Sequence, residues 1–297
     1  MNKTFSTKIF GVKEIGCPFI MVSFDTKDGK RMNGMMLVDT GAEDCYIDKR
    51  ILELLPENKD LGRVEKTKNI NETSNATDVP IDFKFSIENE TFIECFYIEQ
   101  DTNMAENWRC PDAFGIIGRK FMTKYELALD FINGVLRHTD AVRFTKNNAI
   151  DYALLFDKEH RALVGFNAKG KDYYLLVDSG CNITTITQKA VKNSGIVTKN
   201  IDMTCDVDFV LGKYNALQMA EVRYNMYSND IENSSKFKFF TFDDQIRILP
   251  HMEYVQGNIS GLLSASFMAK HKWIVDFGIG AIIRAKDPNT VILLDSE

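Results

Sequence analysis

Closely spaced metal ligands are missing from this sequence. Its four histidines are scattered over 297 residues, and its six cysteines form no CxxC pair. Zinc sites usually combine closely spaced cysteines and histidines, so this spacing argues against a metal site. Cysteines without such a pattern are also typical of reduced thiols in a reducing compartment.

Long apolar runs are missing as well. No run reaches the roughly 18 apolar residues that a membrane-spanning helix needs, and residues 1–16 lack the apolar core of a signal peptide. The sequence therefore predicts a soluble, cytoplasmic protein with no membrane partner.

Neither sign of charge is gathered into a long block. Lys and Arg number 36 and Asp and Glu 42, which gives a net charge of -6. A phosphate backbone attracts clustered basic residues, so this distribution argues against a nucleic-acid partner. The hydrophobic fraction of 44% is ample for the buried cores of one large domain or of two domains.

The strongest positive signal is an internal repeat. The segment LVDTGA, which contains Asp39, recurs as LVDSGC, which contains Asp178, each time after an apolar run that resembles a strand. Farther along, GIIG at 115–118 recurs as GLLS at 261–264, and DF at 130–131 recurs at 276–277. The repeat predicts two similar lobes, which we place at residues 1–147 and 148–297.

Between these landmarks the sequence alternates strand and turn signals. Stretches rich in β-branched and aromatic residues predict strands at 79–87, 91–98, 203–211, 217–227 and 237–242. Helical signals are few and short, and they lie at 49–55, 119–124, 188–193 and 265–270. The chain is therefore predicted to be all-β, with few short helices.

Two acid-hydroxyl-glycine motifs in register are far more specific than one, which would be ordinary turn chemistry. Together with the apolar segments that follow them, they resemble the aspartic peptidases of the pepsin and retropepsin group, over nearly the whole chain. The resemblance implies a two-lobed acid-protease fold, with β-barrel lobes related by a pseudo-twofold axis. Asp39 and Asp178 would meet at this axis as the catalytic pair. Retropepsins supply one motif per subunit, whereas this chain carries both, so we expect a monomer.

The resemblance also assigns roles to the neighbouring residues. Thr40 and Ser179 would hydrogen-bond across to the opposite lobe and so fix the two carboxylates, with a local turn bond as the alternative. Gly41 and Gly180 would let the backbone pass close to substrate, because glycine has no Cβ.

The chemistry of two adjacent carboxylates is clear from first principles. They cannot both ionise at low cost, so the pair holds one proton over a wide pH range. One carboxylate then acts as a base towards water and the other as an acid, without a metal or organic cofactor. Ala42 and Cys181 stand where many secreted pepsin-like enzymes carry a hydroxyl that lowers the carboxylate pKa. We therefore expect the two aspartates of this chain to release and take up protons at a higher pH than in those enzymes.

An acid and an arginine accompany the first motif. Glu43 follows it, and Arg119 follows the first apolar-apolar-glycine segment, which resembles a retroviral pairing. The aligned residues in the second half are Asn182 and Ala265, so both charges are missing there together, as an ion pair would predict. We therefore predict a structural ion pair between Glu43 and Arg119, with chance placement on an exposed face as the alternative.

Two features depart from the family pattern or stay unassigned. Ser264 replaces the second glycine of the apolar-apolar-glycine segment, and we expect this change to be tolerated because serine is small. The hairpin that closes over substrate has two candidate tips, residues 69–77 and 212–216.

The sequence supports peptide-bond hydrolysis best, by an aspartic endopeptidase acting on a peptide or protein substrate. A catalytically silent relative that binds peptides or a partner protein is the alternative, since a fold does not guarantee activity. Glycoside hydrolysis needs carboxylates that lie farther apart, and it explains neither the glycines nor the repeat.

Overall fold

A computed structural model describes residues 5–56, 64–68, 73–77, 80–99, 104–139, 152–153, 155–156, 161–168, 171–194, 198–209, 212–229, 237–250 and 259–284. The chain is mostly β, with a few short helices, as the sequence predicts. No helix among these residues is long and apolar enough to cross a membrane. The predicted lobe boundary, between residues 147 and 148, lies outside the described residues.

The first lobe consists mainly of strands in the part of it that the structure describes. The strands are β1 (Ser6–Phe10), β2 (Phe19–Asp25), β3 (Arg31–Val38), β4 (Cys45–Asp48), β5 (Val64–Lys68), β6 (Thr73–Thr77), β7 (Ile81–Ile87), β8 (Glu90–Glu99), β9 (Ala113–Ile117), β10 (Leu127–Asp130) and β11 (Val135–His138). The helical pieces are a 3₁₀ turn (Lys49–Ile51), α1 (Met104–Asn107) and α2 (Arg119–Lys124).

The second lobe has the same character. Its strands are β12 (Tyr152–Ala153), β13 (Leu155–Phe156), β14 (Ala162–Ala168), β15 (Lys171–Asp178), β16 (Thr185–Thr187), β17 (Thr198–Phe209), β18 (Gly212–Asn229), β19 (Phe237–Leu249), β20 (Ile259–Ser264), β21 (Trp273–Asp276) and β22 (Ala281–Arg284). Its helices are α3 (Gln188–Ser194) and α4 (Ala265–Lys270).

The strand order repeats between the lobes. In the first lobe β3 runs parallel to β9, while β4 is antiparallel to β9 and parallel to β8. In the second lobe β15 runs parallel to β20, while β16 is antiparallel to β20 and parallel to β19. The central strands are buried on both faces, at Met36–Val38 and Leu175–Val177, which explains their unbroken apolar sequences.

One sheet joins the two lobes. Strand β10 of the first lobe pairs antiparallel with β21 of the second, with Ala128 opposite Asp276 and Asp130 opposite Ile274. Within this sheet, Arg137 and Asp130 form an ion pair of 2.8 Å with both side chains fully buried. The shared sheet fixes the orientation of the lobes, and with it the ends of β3 and β15.

Candidate active site

The first motif forms a tight turn after β3. The Oδ1 atom of Asp39 accepts hydrogen bonds from the backbone N–H of Gly41, at 2.8 Å, and of Ala42, at 3.1 Å. The strand places the aspartate, and the turn that follows orients its carboxyl group.

The second motif repeats this geometry at the end of β15. The Oδ1 atom of Asp178 accepts from the backbone N–H of Gly180, at 3.0 Å, and of Cys181, at 3.2 Å. Each carboxyl group is therefore held by two N–H donors of its own turn, an arrangement that favours the charged form of a carboxylate.

Two hydroxyl groups connect the turns across the lobes. Thr40 Oγ1 donates to the carbonyl of Val177 at 2.7 Å, and Ser179 Oγ donates to the carbonyl of Val38 at 2.6 Å. Each hydroxyl also accepts from the backbone N–H of the other residue, at 3.0 Å. The predicted cross-lobe hydrogen bonds of Thr40 and Ser179 are therefore present in the structure.

Glycine is required where the two turns face each other. A Cβ added to Gly41 would lie 2.6 Å from Cγ of Asp178, and a Cβ added to Gly180 would collide with Oδ2 of Asp39. The carboxyl groups of Asp39 and Asp178 lie within hydrogen-bonding distance of each other. The structure thus brings together the two acids that the sequence singles out.

The surroundings of the two acids shift their pKa values upwards. Burial raises the pKa of Asp178 well above its usual range, and the negative charge of Asp39 raises it further. Burial also raises the pKa of Asp39, while hydrogen bonds from Asp178 and from the backbone N–H groups of the turns oppose that rise. Because two negative charges this close are unfavourable, the pair retains one proton to a higher pH than an isolated carboxyl group would.

The segments behind the turns end in different residues, Gly118 and Ser264, but keep one hydrogen bond. In the first lobe the N–H of Gly118 donates to Sγ of Cys45, and in the second the N–H of Ser264 donates to Oγ1 of Thr184, both at 3.4 Å. The Ser264 hydroxyl lies 3.2 Å from the Thr184 hydroxyl and accepts from the N–H of Phe267 at the start of α4. Ser264 is therefore accommodated, and it adds a helix cap that Gly118 lacks.

The structure gives Glu43 a different partner from the predicted one. Its carboxylate pairs with Nζ of Lys120 at 2.9 Å, and the same Nζ lies 2.8 Å from Asp44. Arg119 begins α2 with its side chain directed inwards, only 4% exposed, whereas Lys120 points to solvent beside Glu43. The predicted ion pair between Glu43 and Arg119 is thus replaced by an exposed one with the next residue.

The second lobe also has an arginine near its turn, and it comes from a distant strand. Arg247 in β19 donates to Oδ1 of Asn182 at 2.8 Å, and its backbone N–H donates to the carbonyl of Thr184. The expectation that this lobe lost its charge was therefore incomplete. Arg247 lies 65 residues from Asn182, so no local sequence signal reveals the contact.

Sequence reasoning also missed Cys17. This buried residue precedes β2, and its thiol donates to the carbonyl of Gly180 at 3.2 Å. The contact joins residues 163 positions apart, and nothing in the local sequence of Cys17 marks it.

Strands β5 and β6 form a hairpin at the first candidate tip, and β17 pairs with β18 beside the second. Strands β5 and β6 pair from Val64 opposite Thr77 to Lys68 opposite Thr73, but residues 69–72 lie outside the described residues. In the second lobe Phe209 pairs with Gly212, so residues 212–216 begin β18 rather than forming a tip. The position of a substrate-covering hairpin stays a prediction.

Among the described residues no group of three or more His, Cys, Asp or Glu side chains could hold a metal ion.

Comparisons with known proteins agree with this architecture. No protein-family model matches the chain, and no curated protein matches it in sequence. Among solved structures, basic 7S globulin from soybean matches with a TM-score of 0.54 and 6% identity, over 98% of each chain. The aspartic proteinase from Irpex lacteus matches with a TM-score of 0.52 and 9% identity, over 97% of this chain and 99% of the proteinase. The predicted two-lobed, aspartic-proteinase-like fold is confirmed, and at this identity the likeness concerns the fold alone.

Proposed function

We propose that the chain is an aspartic endopeptidase that hydrolyses peptide bonds with Asp39 and Asp178. The observation that supports this most is the meeting of the two turns. The carboxyl groups are within hydrogen-bonding distance of each other, and each accepts two backbone N–H bonds from its own turn. Such a pair can share a proton, which is what acid and base catalysis by two aspartates requires.

In the proposed reaction Asp39 is the base and Asp178 the acid. Burial raises the pKa of both acids, so the pair holds one proton, and the two roles exchange when that proton moves from Asp178 to Asp39. Asp39 takes a proton from water as the water oxygen attacks the scissile carbonyl carbon. Asp178 donates a hydrogen bond and then its proton to the carbonyl oxygen. When the C–N bond breaks, the amine leaves with the proton that Asp39 had taken, and one hydroxyl of the intermediate returns its proton to Asp178, which leaves a carboxylic acid.

Both acids belong to one chain, so a second copy is not needed to complete the pair. We therefore propose a monomeric enzyme that acts on a peptide or protein substrate without a metal or cofactor. A cytoplasmic location remains part of the proposal.

A binding module without catalysis is the second candidate. In its favour, one structure that matches 98% of this chain is named a globulin rather than a proteinase. A binding module needs a cleft for a peptide or protein, but it does not need two acids that share a proton.

Incubation with a denatured protein separates the two candidates. The purified chain should release fragments, and a statine-containing peptide inhibitor should stop the release. Asp178→Asn, which is matched in size, should release none. Binding of the denatured protein without fragments, and unchanged in Asp178→Asn, would favour the binding module.

A further inference from the structure

A thiol from the first lobe reaches the catalytic turn of the second lobe. Cys17 is only 4% exposed and packs in an apolar cluster with Phe19 and Leu37. Its Sγ atom donates to the carbonyl oxygen of Gly180 at 3.2 Å. This hydrogen bond is therefore made between lobes and inside the protein.

The carbonyl that accepts from Cys17 belongs to the peptide group that holds Asp178. This group joins Gly180 to Cys181, and its N–H donates to Oδ1 of Asp178 at 3.2 Å. A hydrogen bond at the carbonyl end of a peptide group polarises the group and strengthens the bond at its N–H end. Rotation of the peptide plane would break both bonds together.

We propose that Cys17 is a positioning residue for Asp178. Its thiol fixes the peptide group between Gly180 and Cys181, and that group in turn fixes the carboxylate. The inference rests on the proposed function, since it assigns Cys17 a part in the work of the same aspartate pair.

The thiol has the protonation state that this role requires. Burial raises the pKa of Cys17 well above its usual value, and the nearby Cys181, Asp178 and Asp39 add to the rise, while Arg247 opposes it more weakly. The S–H group thus persists at neutral pH and remains a donor. The ionisable neighbours of the Asp178 carboxyl group are Asp39, Cys181 and Cys17 itself.

The first turn has no cysteine at the place that corresponds to Cys17. In β2 and β3 Phe19 lies opposite Leu37, and in β14 and β15 Leu163 lies opposite Leu176. Because Leu37 and Leu176 occupy equivalent places in the repeat, the counterpart of Cys17 is Arg161, which has no thiol. Cys17 contacts the turn of Asp178, so loss of its thiol should act on Asp178 first.

The first test compares steady-state kinetics of matched variants. Cys17→Val removes the donor and is slightly larger than cysteine, whereas Cys17→Ser is slightly smaller and keeps a donor. Cys110→Val is the control, because Cys110 packs against the same apolar cluster. We expect Cys17→Val to lower kcat about 10-fold with KM nearly unchanged, since small displacements of catalytic groups are costly. It should also move the basic limb of the pH profile upwards, while Cys17→Ser recovers most of kcat and Cys110→Val matches the wild type.

The second test needs no substrate. Because the pKa of Asp178 is raised in the folded chain, its protonation stabilises the fold at low pH. That contribution declines as pH rises from the unfolded value, near 4, towards the folded one. A further rise of this pKa in Cys17→Val should make its loss of unfolding free energy grow once the pH exceeds the folded pKa of wild-type Asp178, whereas the loss in Cys110→Val should stay constant.

The two tests separate failure of the inference from failure of the proposed function. If the wild type cuts no peptide but the loss in Cys17→Val grows with pH, the peptidase proposal fails and the Cys17 contact stands. If the wild type is active and Cys17→Val keeps its kcat and pH profile, the inference is overturned. A stability loss in Cys17→Val that does not change with pH would overturn it as well.

Discussion

Thr40 and Ser179 each accept a hydrogen bond from the backbone N–H of the other, at 3.0 Å in both directions. Each hydroxyl also donates to the carbonyl of the residue that precedes the opposite aspartate. Neither residue has exposed surface. The two lobes are thus joined directly at the residues beside the acids, so the distance between the carboxyl groups depends on these two side chains.

Thr40→Val should weaken the fold as well as the site. Valine has a similar shape, but it leaves the carbonyl of Val177 and the N–H of Ser179 without their partner in a buried place. We expect the free energy of unfolding to fall by about 2–4 kcal/mol, as measured in urea. Thr123→Val, at an exposed position in α2, should change it by less than about 0.5 kcal/mol. Equal effects of the two substitutions would show that the cross-lobe bonds do not stabilise the protein.

Gly118 and Ser264 end the two segments behind the turns. Exchanging these residues should change the free energy of unfolding by unequal amounts. A Cβ at Gly118 would collide with the backbone oxygen of Asp44, so Gly118→Ser should cost about 1–3 kcal/mol through overpacking. Ser264→Gly removes the bonds to Thr184 and Phe267 but creates no collision, and it should cost less than about 1 kcal/mol. Thermal unfolding of both variants gives the comparison. A larger loss in Ser264→Gly would mean that the segments do not pack as described.

The repeat in the sequence predicts much of this architecture. It locates the strands that end at Asp39 and Asp178, and helices α2 and α4 have the predicted bounds because each begins directly after an apolar-apolar-small segment. The first helical signal, at 49–55, gives only the 3₁₀ turn Lys49–Ile51.

The rest of the site depends on contacts between distant parts of the chain. Cys17 and Arg247 reach the second turn from 163 and 65 residues away, and only the strand pairing brings them there. Glu43 pairs with Lys120 rather than Arg119 because consecutive residues at the start of α2 point in different directions. One residue along a helix rotates a side chain by about 100°, which the motif alone does not resolve.

The pH optimum for cleavage should lie nearer to neutral pH than to pH 3. Burial raises the pKa of both acids. Ala42 and Cys181 stand where a hydroxyl could donate to a carboxylate, and neither replaces it, since alanine has no donor and the Cys181 thiol donates to the carbonyl of Ile183 at 2.9 Å. The one-proton state of the pair therefore extends to higher pH. Rates on an unstructured peptide from pH 3 to 8, with a fold check at each point, measure this. An optimum near pH 3 in a chain still folded at pH 7 would contradict it.

The measurement that tests the central claim most directly is peptide cleavage by Asp39→Asn, Asp178→Asn and the double variant. Asparagine keeps the size of the side chain but cannot share the proton, so each single variant should lose activity by roughly 10³-fold or more. The double variant should lose little beyond that, because the two acids act as one unit. Circular dichroism should show that all three variants are folded. Near-full cleavage by folded Asp178→Asn would contradict the account, because the second lobe would then contribute no catalytic acid.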